Sequence, residues 1–271
     1  MLAGATVVMG GACGLGCSWD WEKFSAPTPT GVPPGNYQLT FREECEGQQL
    51  DPSRWHTEYV ANDRTSRFRR YSWSGSWVLD ANVSVDQGLC RIRVNNVPAG
   101  DAAFSSGTLD SSGKFEQQYG FFEVRLKALR GRGLSTSVTL QNAERWPPQI
   151  SVVAINGDAP TVTHFESWHR AKDDEPVAVN SRMIDATDFS QDFHTFGLEW
   201  TSDRISLYVD GTLRGTMELA APYLRFPMRL QVTAHVATLG GPVPDETTSF
   251  PNEILIDWIR VYRDTATTPM R

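Results

Sequence analysis

The strongest constraint on this chain is a two-residue hydrophobic alternation that recurs in separate stretches. Phe122, Val124, Leu126 and Ala128 alternate with Glu123, Arg125 and Lys127. Leu230, Val232, Ala234 and Val236 alternate with Arg229, Gln231, Thr233 and His235. Ile205, Leu207 and Val209 follow the same rule and run into Asp210-Gly211, a hairpin-turn dipeptide. Side chains two apart on an extended backbone share a face, so each stretch reads as a strand with one buried side. No segment carries a long helical period. The nearest, Met217-Glu-Leu-Ala-Ala221, is stopped by Pro222, which lacks an N–H and clashes with the preceding turn. Strands with one apolar face must cover that face with another sheet, so the expected class is an all-β, antiparallel β-sandwich. With 271 residues and 40% hydrophobic composition, the chain can bury a sizeable core as one domain.

A series of short motifs narrows this reading. Phe41-Arg-Glu-Glu-Cys-Glu-Gly47 is followed by Leu50-Asp51 and Trp55. Then come Asn82-Val-Ser-Val-Asp-Gln-Gly88, Phe104-Ser-Ser-Gly-Thr-Leu-Asp-Ser111 and Tyr119-Gly-Phe-Phe-Glu-Val-Arg-Leu-Lys127. Asp192-Phe-His-Thr-Phe-Gly-Leu-Glu-Trp200, Tyr208-Val-Asp-Gly211 and Ile256-Asp-Trp-Ile-Arg-Val-Tyr262 complete the set. In this order they resemble family 16 glycoside hydrolases of the laminarinase-like kind, over residues from about 37 to 264. The resemblance implies a jelly roll of the concanavalin A-like type with a concave cleft. It also implies export and a polysaccharide of the β-glucan or galactan class as partner.

One stretch departs from the family where its chemistry lies. Trp146-Pro-Pro-Gln-Ile-Ser-Val-Val-Ala154 resembles the active-site strand, in which the family carries Glu-x-Asp-x-x-Glu. The matching positions are Gln149, Ser151 and Ala154. Retaining glycosidases need two carboxyl groups about 5 Å apart, one ionised to attack and one protonated to assist departure. An amide, a hydroxyl and a methyl supply neither. Positions 149 and 151 share a strand face, and a bulge is needed to bring 154 to it. The strand after Gly133 reads Leu134-Ser-Thr-Ser-Val-Thr139, so Ser135 and Thr139 stand where the family has sugar-stacking tryptophans. Glu144, Asp158 and Glu166 are close in sequence but match none of the catalytic positions.

Residues expected to contact a sugar are Trp73, Trp146, Gln149, His164 and Trp168, because flat aromatic faces and hydrogen-bonding side chains hold glycans. The alternative for each tryptophan is packing in the sandwich. The resemblance also implies a structural calcium held by the Asp257 carboxylate and by backbone carbonyls at Glu44 and Gly88, oxygen donors being suited to that ion; the alternative is that Asp257 is only a structural acid. No cofactor for catalysis is expected. Cys45 and Cys90 both match apolar family positions, and either a disulfide or two packed thiols fits them.

The net charge of −7 argues against nucleic acid, whose phosphates want a basic surface. The local run Arg64, Arg67, Arg69, Arg70 reads as a solvated loop or as a contact for an acidic polysaccharide. No run reaches the roughly 20 apolar residues of a membrane span. Residues 1–36 read as a signal- or anchor-like segment with a Pro-rich linker, with Cys13 or Cys17 as candidate lipid-anchor positions. Residues 37–264 form the domain and 265–271 a tail. The expected protein is extracellular or cell-surface, a non-catalytic polysaccharide binder. The alternatives are an active glycoside hydrolase with a non-standard site and a surface assembly protein that uses only the sandwich.

Overall fold

The structure is a computed structural model, and it describes residues 35–170, 176–184, 187–219, 224–238 and 240–266, without the side chains of 170 and 176–184. The signal-like segment, Cys13, Cys17 and most of the Pro-rich linker lie outside the described residues.

Two antiparallel sheets face one another. The larger runs β16 (Thr212–Glu218), β15 (Arg204–Val209), β14 (His194–Trp200), β9 (Gly120–Lys127), β18 (Asn252–Asp264), β6 (Leu89–Val94) and β5 (Val83–Asp86), with β1 (Tyr37–Glu43) also paired to β18. The smaller runs β13 (Pro176–Ile184), β12 (Val162–Arg170), β11 (Gln149–Asn156), β10 (Leu134–Gln141), β17 (Arg229–Val236) and β8 (Thr108–Asp110). Neighbours in space are often distant in sequence, which makes this a jelly roll and not a meander. Two short ladders lie outside the sheets: β2 (Tyr59–Val60) with β3 (Arg67–Phe68), and β4 (Ser76–Val78) parallel to β7 (Phe104–Ser106). The described helical element is a 3-10 turn at Asp80–Asn82. Met217, in the stretch with the nearest helical pattern, lies instead in edge strand β16, where pairing with Ile205 of β15 decides the conformation.

The alternating residues of the sequence make the core. Phe122, Val124 and Leu126 of β9 face Val138 and Leu140 of β10 and Leu230, Val232 and Ala234 of β17, all within one buried cluster. Burying side chains of this size stabilises by about 1.5–3 kcal/mol each relative to exposure. Tight packing is visible at Gly197, where an added Cβ would lie 2.5 Å from the Phe121 ring. Cys45 and Cys90 are fully buried and joined by a disulfide that ties the end of the first strand to β6. The thiol alternative is thereby settled. The four arginines of the local basic run do not act as one patch. Arg64 pairs with Glu116 and Glu144, Arg69 with Glu58 and Asp80, and Arg70 with Asp101.

Candidate functional site: a concave cleft between two aromatic walls

The outer face of the smaller sheet carries a cleft of about 700 Å³. Its floor follows from strand register. Gln141 of β10 stands beside Gln149 of β11 and Arg229 of β17; Thr139 stands beside Ser151 and Gln231. On β11 the register shifts between Val153, opposite Val138, and Ser151, opposite Thr139, so Val152 is the extra residue of a bulge. Without it, Ala154 would fall on the core face. With it, Gln149, Ser151 and Ala154 all line the cleft while Val152 and Val153 are both buried. Glu166 and Trp168 of β12 complete that side.

Beneath the floor lies a polar network that holds these side chains in place. Asp110 and Arg229 form an ion pair at 3.1 Å, with both side chains almost wholly buried. Asp110 also accepts from the backbone N–H groups of Val60 and Ser112 and from Gln231 Nε2. Arg229 donates to the Val60 carbonyl at 2.8 Å and to Gln141 Oε1 at 3.2 Å. Gln141 Nε2 then donates to Gln149 Oε1 at 3.1 Å, and Trp146 Nε1 donates to the same oxygen at 3.0 Å. The carbonyl of Gln149 is therefore saturated, and its amide NH2 is the group it offers to a ligand. Charge buried this way is tolerable because it is paired and every carboxylate oxygen is engaged.

The walls are aromatic. On one side Tyr59, Phe68, Tyr71 and Trp73 form a continuous set, with Tyr71 and Trp73 stacked at 5.0 Å and 12° between planes. On the other, Trp146 and Trp168 meet at 5.5 Å. Trp73 is 37% exposed and Trp146 42% exposed, whereas the core tryptophan Trp200 is fully buried. Their exposure places these rings where a ligand meets them. Burial raises the Tyr71 pKa, so its phenol stays protonated and can donate. His235 closes the floor beside Trp73, with Nε2 at 2.9 Å from Ser137 Oγ. Burial pushes its pKa down to about 4, so the imidazole is neutral at ordinary pH.

Of the residues expected to contact a sugar, Trp73, Trp146, Gln149 and Trp168 are brought together here. His164 is partly buried on β12 and is not among the residues that line the cleft. Glu144 instead pairs with Arg64, and Asp158 lines a separate hollow near Arg130. Glu166 is the carboxylate that lines the cleft among the described residues. Sequence reasoning missed Tyr71, Arg229, Gln231 and His235. For the last three the signal was the polar half of the β17 alternation, since a strand that carries Arg, Gln, Thr and His on one side turns that side away from a core.

At the positions expected to hold calcium, Asp257 by its carboxylate and Glu44 and Gly88 by their carbonyls, the two acidic side chains have protein partners. Glu44 is held by Arg260 through two bonds at 3.0 and 2.8 Å, and Asp257 is paired with Arg125. Asp257 is the bulged residue of β18, between Ile256 and Trp258. At Asp257, the position expected to offer a carboxylate, the Arg125 guanidinium supplies the positive charge a cation would bring. Gly88 keeps a positive φ of 74° in the turn between β5 and β6, as the hairpin requires. No described helix is long and apolar enough to cross a membrane.

Known proteins share this architecture. The chain is 22% identical to a beta-glucanase of Rhodothermus marinus over 278 residues, covering 92% of this chain and 91% of that protein. It is 26% identical over 189 residues to endo-1,3-1,4-beta-glycanase ExsH of Rhizobium meliloti, covering 66% of this chain but 39% of that longer protein. Among solved structures, the catalytic domain of an endo-1,3-beta-glucanase (laminarinase) from Thermotoga petrophila superposes with a TM-score of 0.73 at 26% identity, covering 86% of this chain and all of that one. The family described as glycosyl hydrolases family 16 matches residues 67–260, which is most of the domain, and the chain belongs to that family.

Proposed function

We propose that this protein binds a β-linked glucan or galactan in the concave cleft and does not cleave it. One observation carries the reading: the β11 bulge directs Gln149, Ser151 and Ala154 together into the cleft, and none of the three can ionise as a carboxyl. Hydrolysis with retention requires charge at the reacting centre that is stronger in the transition state than in the ground state. Binding requires only hydrogen bonds and stacking. Gln149, Ser151, Thr139 and Gln231 supply donors and acceptors, and Trp73, Trp146 and Trp168 supply ring faces. The family's activity on polysaccharides supports the substrate class. The buried Cys45–Cys90 disulfide supports an exported, extracellular or cell-surface protein, since such bonds persist in oxidising compartments. Cys13 or Cys17 as a lipid anchor is part of the same proposal.

Glu166 in the cleft favours a second reading, a hydrolase that uses a relocated acid. Two measurements separate the readings. Calorimetric titration with laminarin, lichenan and agarose oligosaccharides is expected to give binding on the order of 0.1–1 mM, equivalent to roughly 4–5 kcal/mol. Reducing-sugar release from the same substrates is expected to be absent. Release that disappears in Glu166→Gln would establish the second reading, and neither binding nor release would leave the sandwich as a purely structural module.

A further inference from the structure

We infer that the cleft accepts the end of a glycan chain, or a short free oligosaccharide, and not an internal stretch of polymer. The inference rests on the glycan-binding reading above and specifies it.

The reason is a segment that closes one side of the sheet. Residues 56–75 run the length of β17. At one end of that strand Arg229 donates to the Val60 carbonyl, and the Val60 N–H reaches Asp110, which lies on the adjacent edge strand β8. His56 also bridges to Asp110 through the backbone. At the other end the Gly75 N–H donates to the Val236 carbonyl at 2.9 Å. The approach there is so close that a Cβ on Gly75 would lie 2.6 Å from the Ala237 Cβ. Between these two clamps Tyr59, Phe68, Tyr71 and Trp73 form one aromatic set, and Trp73 reaches His235 with ring centroids 5.2 Å apart.

A glycan lying across the strands meets β12, β11 and β10 in turn and arrives at this wall over β17. It cannot continue. The wall is not a lid resting on the surface, because Arg229 and Asp110 hold it at Val60 and a backbone hydrogen bond holds it at Gly75. The last sugar therefore packs against Trp73, whose opposite side is backed by Tyr71. The cleft volume of about 700 Å³ falls within the roughly 300–1,000 Å³ of sites that enclose a small ligand. A groove that tracks a long polymer needs two open ends, and the segment over β17 closes one of them.

Stoichiometry tests this directly. The full chain is titrated by calorimetry with linear β-1,3-glucan and agarose chains of increasing length, and with a cyclic β-1,3-glucan that has no ends. End recognition predicts one protein bound per linear chain whatever its length, and no binding of the cyclic glucan. Trp73→Ala, at an exposed ring, is expected to weaken oligosaccharide binding about tenfold without lowering the melting temperature. If the number of proteins per chain rises with length, or the cyclic glucan binds as well as a linear one, the end-recognition inference is overturned while glycan binding stands. Unchanged affinity in Trp73→Ala overturns the role of the wall. If none of these glycans binds at several millimolar, the glycan reading itself fails and this inference with it.

Discussion

Replacing Arg229 by Met should separate the stability of the cleft from its chemistry. The guanidinium is 2% exposed and Asp110 is fully buried, so the substitution strands a carboxylate where water cannot reach it. Removing one partner of a buried ion pair costs about 3–5 kcal/mol. Here the lower end applies, because Asp110 keeps three donors: the Val60 and Ser112 N–H groups and Gln231 Nε2. A loss of about 3 kcal/mol lowers the melting temperature of a domain this size by about 6–12 °C. Arg229 also positions Val60 and Gln141, so the segment over β17 and the amide of Gln149 both lose a support. The double variant Asp110→Asn with Arg229→Met removes both charges and should recover part of the loss, the remainder being the N–H donor that the Asn amide NH2 cannot accept. Chemical denaturation of the two variants reads the effect. An Arg229→Met protein within 1 kcal/mol of the wild type, or a double variant less stable than the single, would refute the argument.

Three further outcomes follow from the same structure. Reducing the Cys45–Cys90 bridge, which spans 45 residues, should cost about 4 kcal/mol through the entropy restored to the unfolded chain; mass spectrometry should find Cys45 alkylated after reduction and unfolding but not after unfolding alone. A chelator should leave the melting temperature unchanged, because Arg125 occupies the Asp257 carboxylate; a drop restored by added calcium would show that this pair opens to admit the ion. Stability should rise with pH between about 4 and 6.5: burial lowers the folded pKa of His235 to about 4, and burial followed by the charges of Lys114 and Arg67 lowers that of His56. In that window the unfolded chain binds more protons than the folded one, so the contribution is complete above the unfolded value and lost on acidification. His235→Gln should flatten the profile measured by thermal denaturation, and an unchanged slope would place the effect elsewhere.

The sequence by itself determined the class of fold. Period-two alternation in β9, β15 and β17 needs no partner to be read, because the pleat alone fixes which side chains share a face. It also determined that positions 149, 151 and 154 carry no carboxyl, since that is composition at named sites. What it left open was every matter of who stands beside whom. Cys45 and Cys90 are 45 residues apart, and only the pairing of β1 and β6 with successive stretches of β18 brings the end of β1 to Cys90. The partner of the Asp257 carboxylate is likewise invisible in sequence, and only the sheet places Arg125 against it. Arg229 appears as one polar residue in an alternating strand, and becomes the support of the cleft only because β8 delivers Asp110 beneath it. Trp168 meets Gln149 in the cleft only because β12 pairs with β11 in that register. Local pattern reports the conformation of a segment, whereas ion pairs, disulfides and clefts are properties of juxtaposition, and long-range sheet pairing is written in no single stretch of the chain.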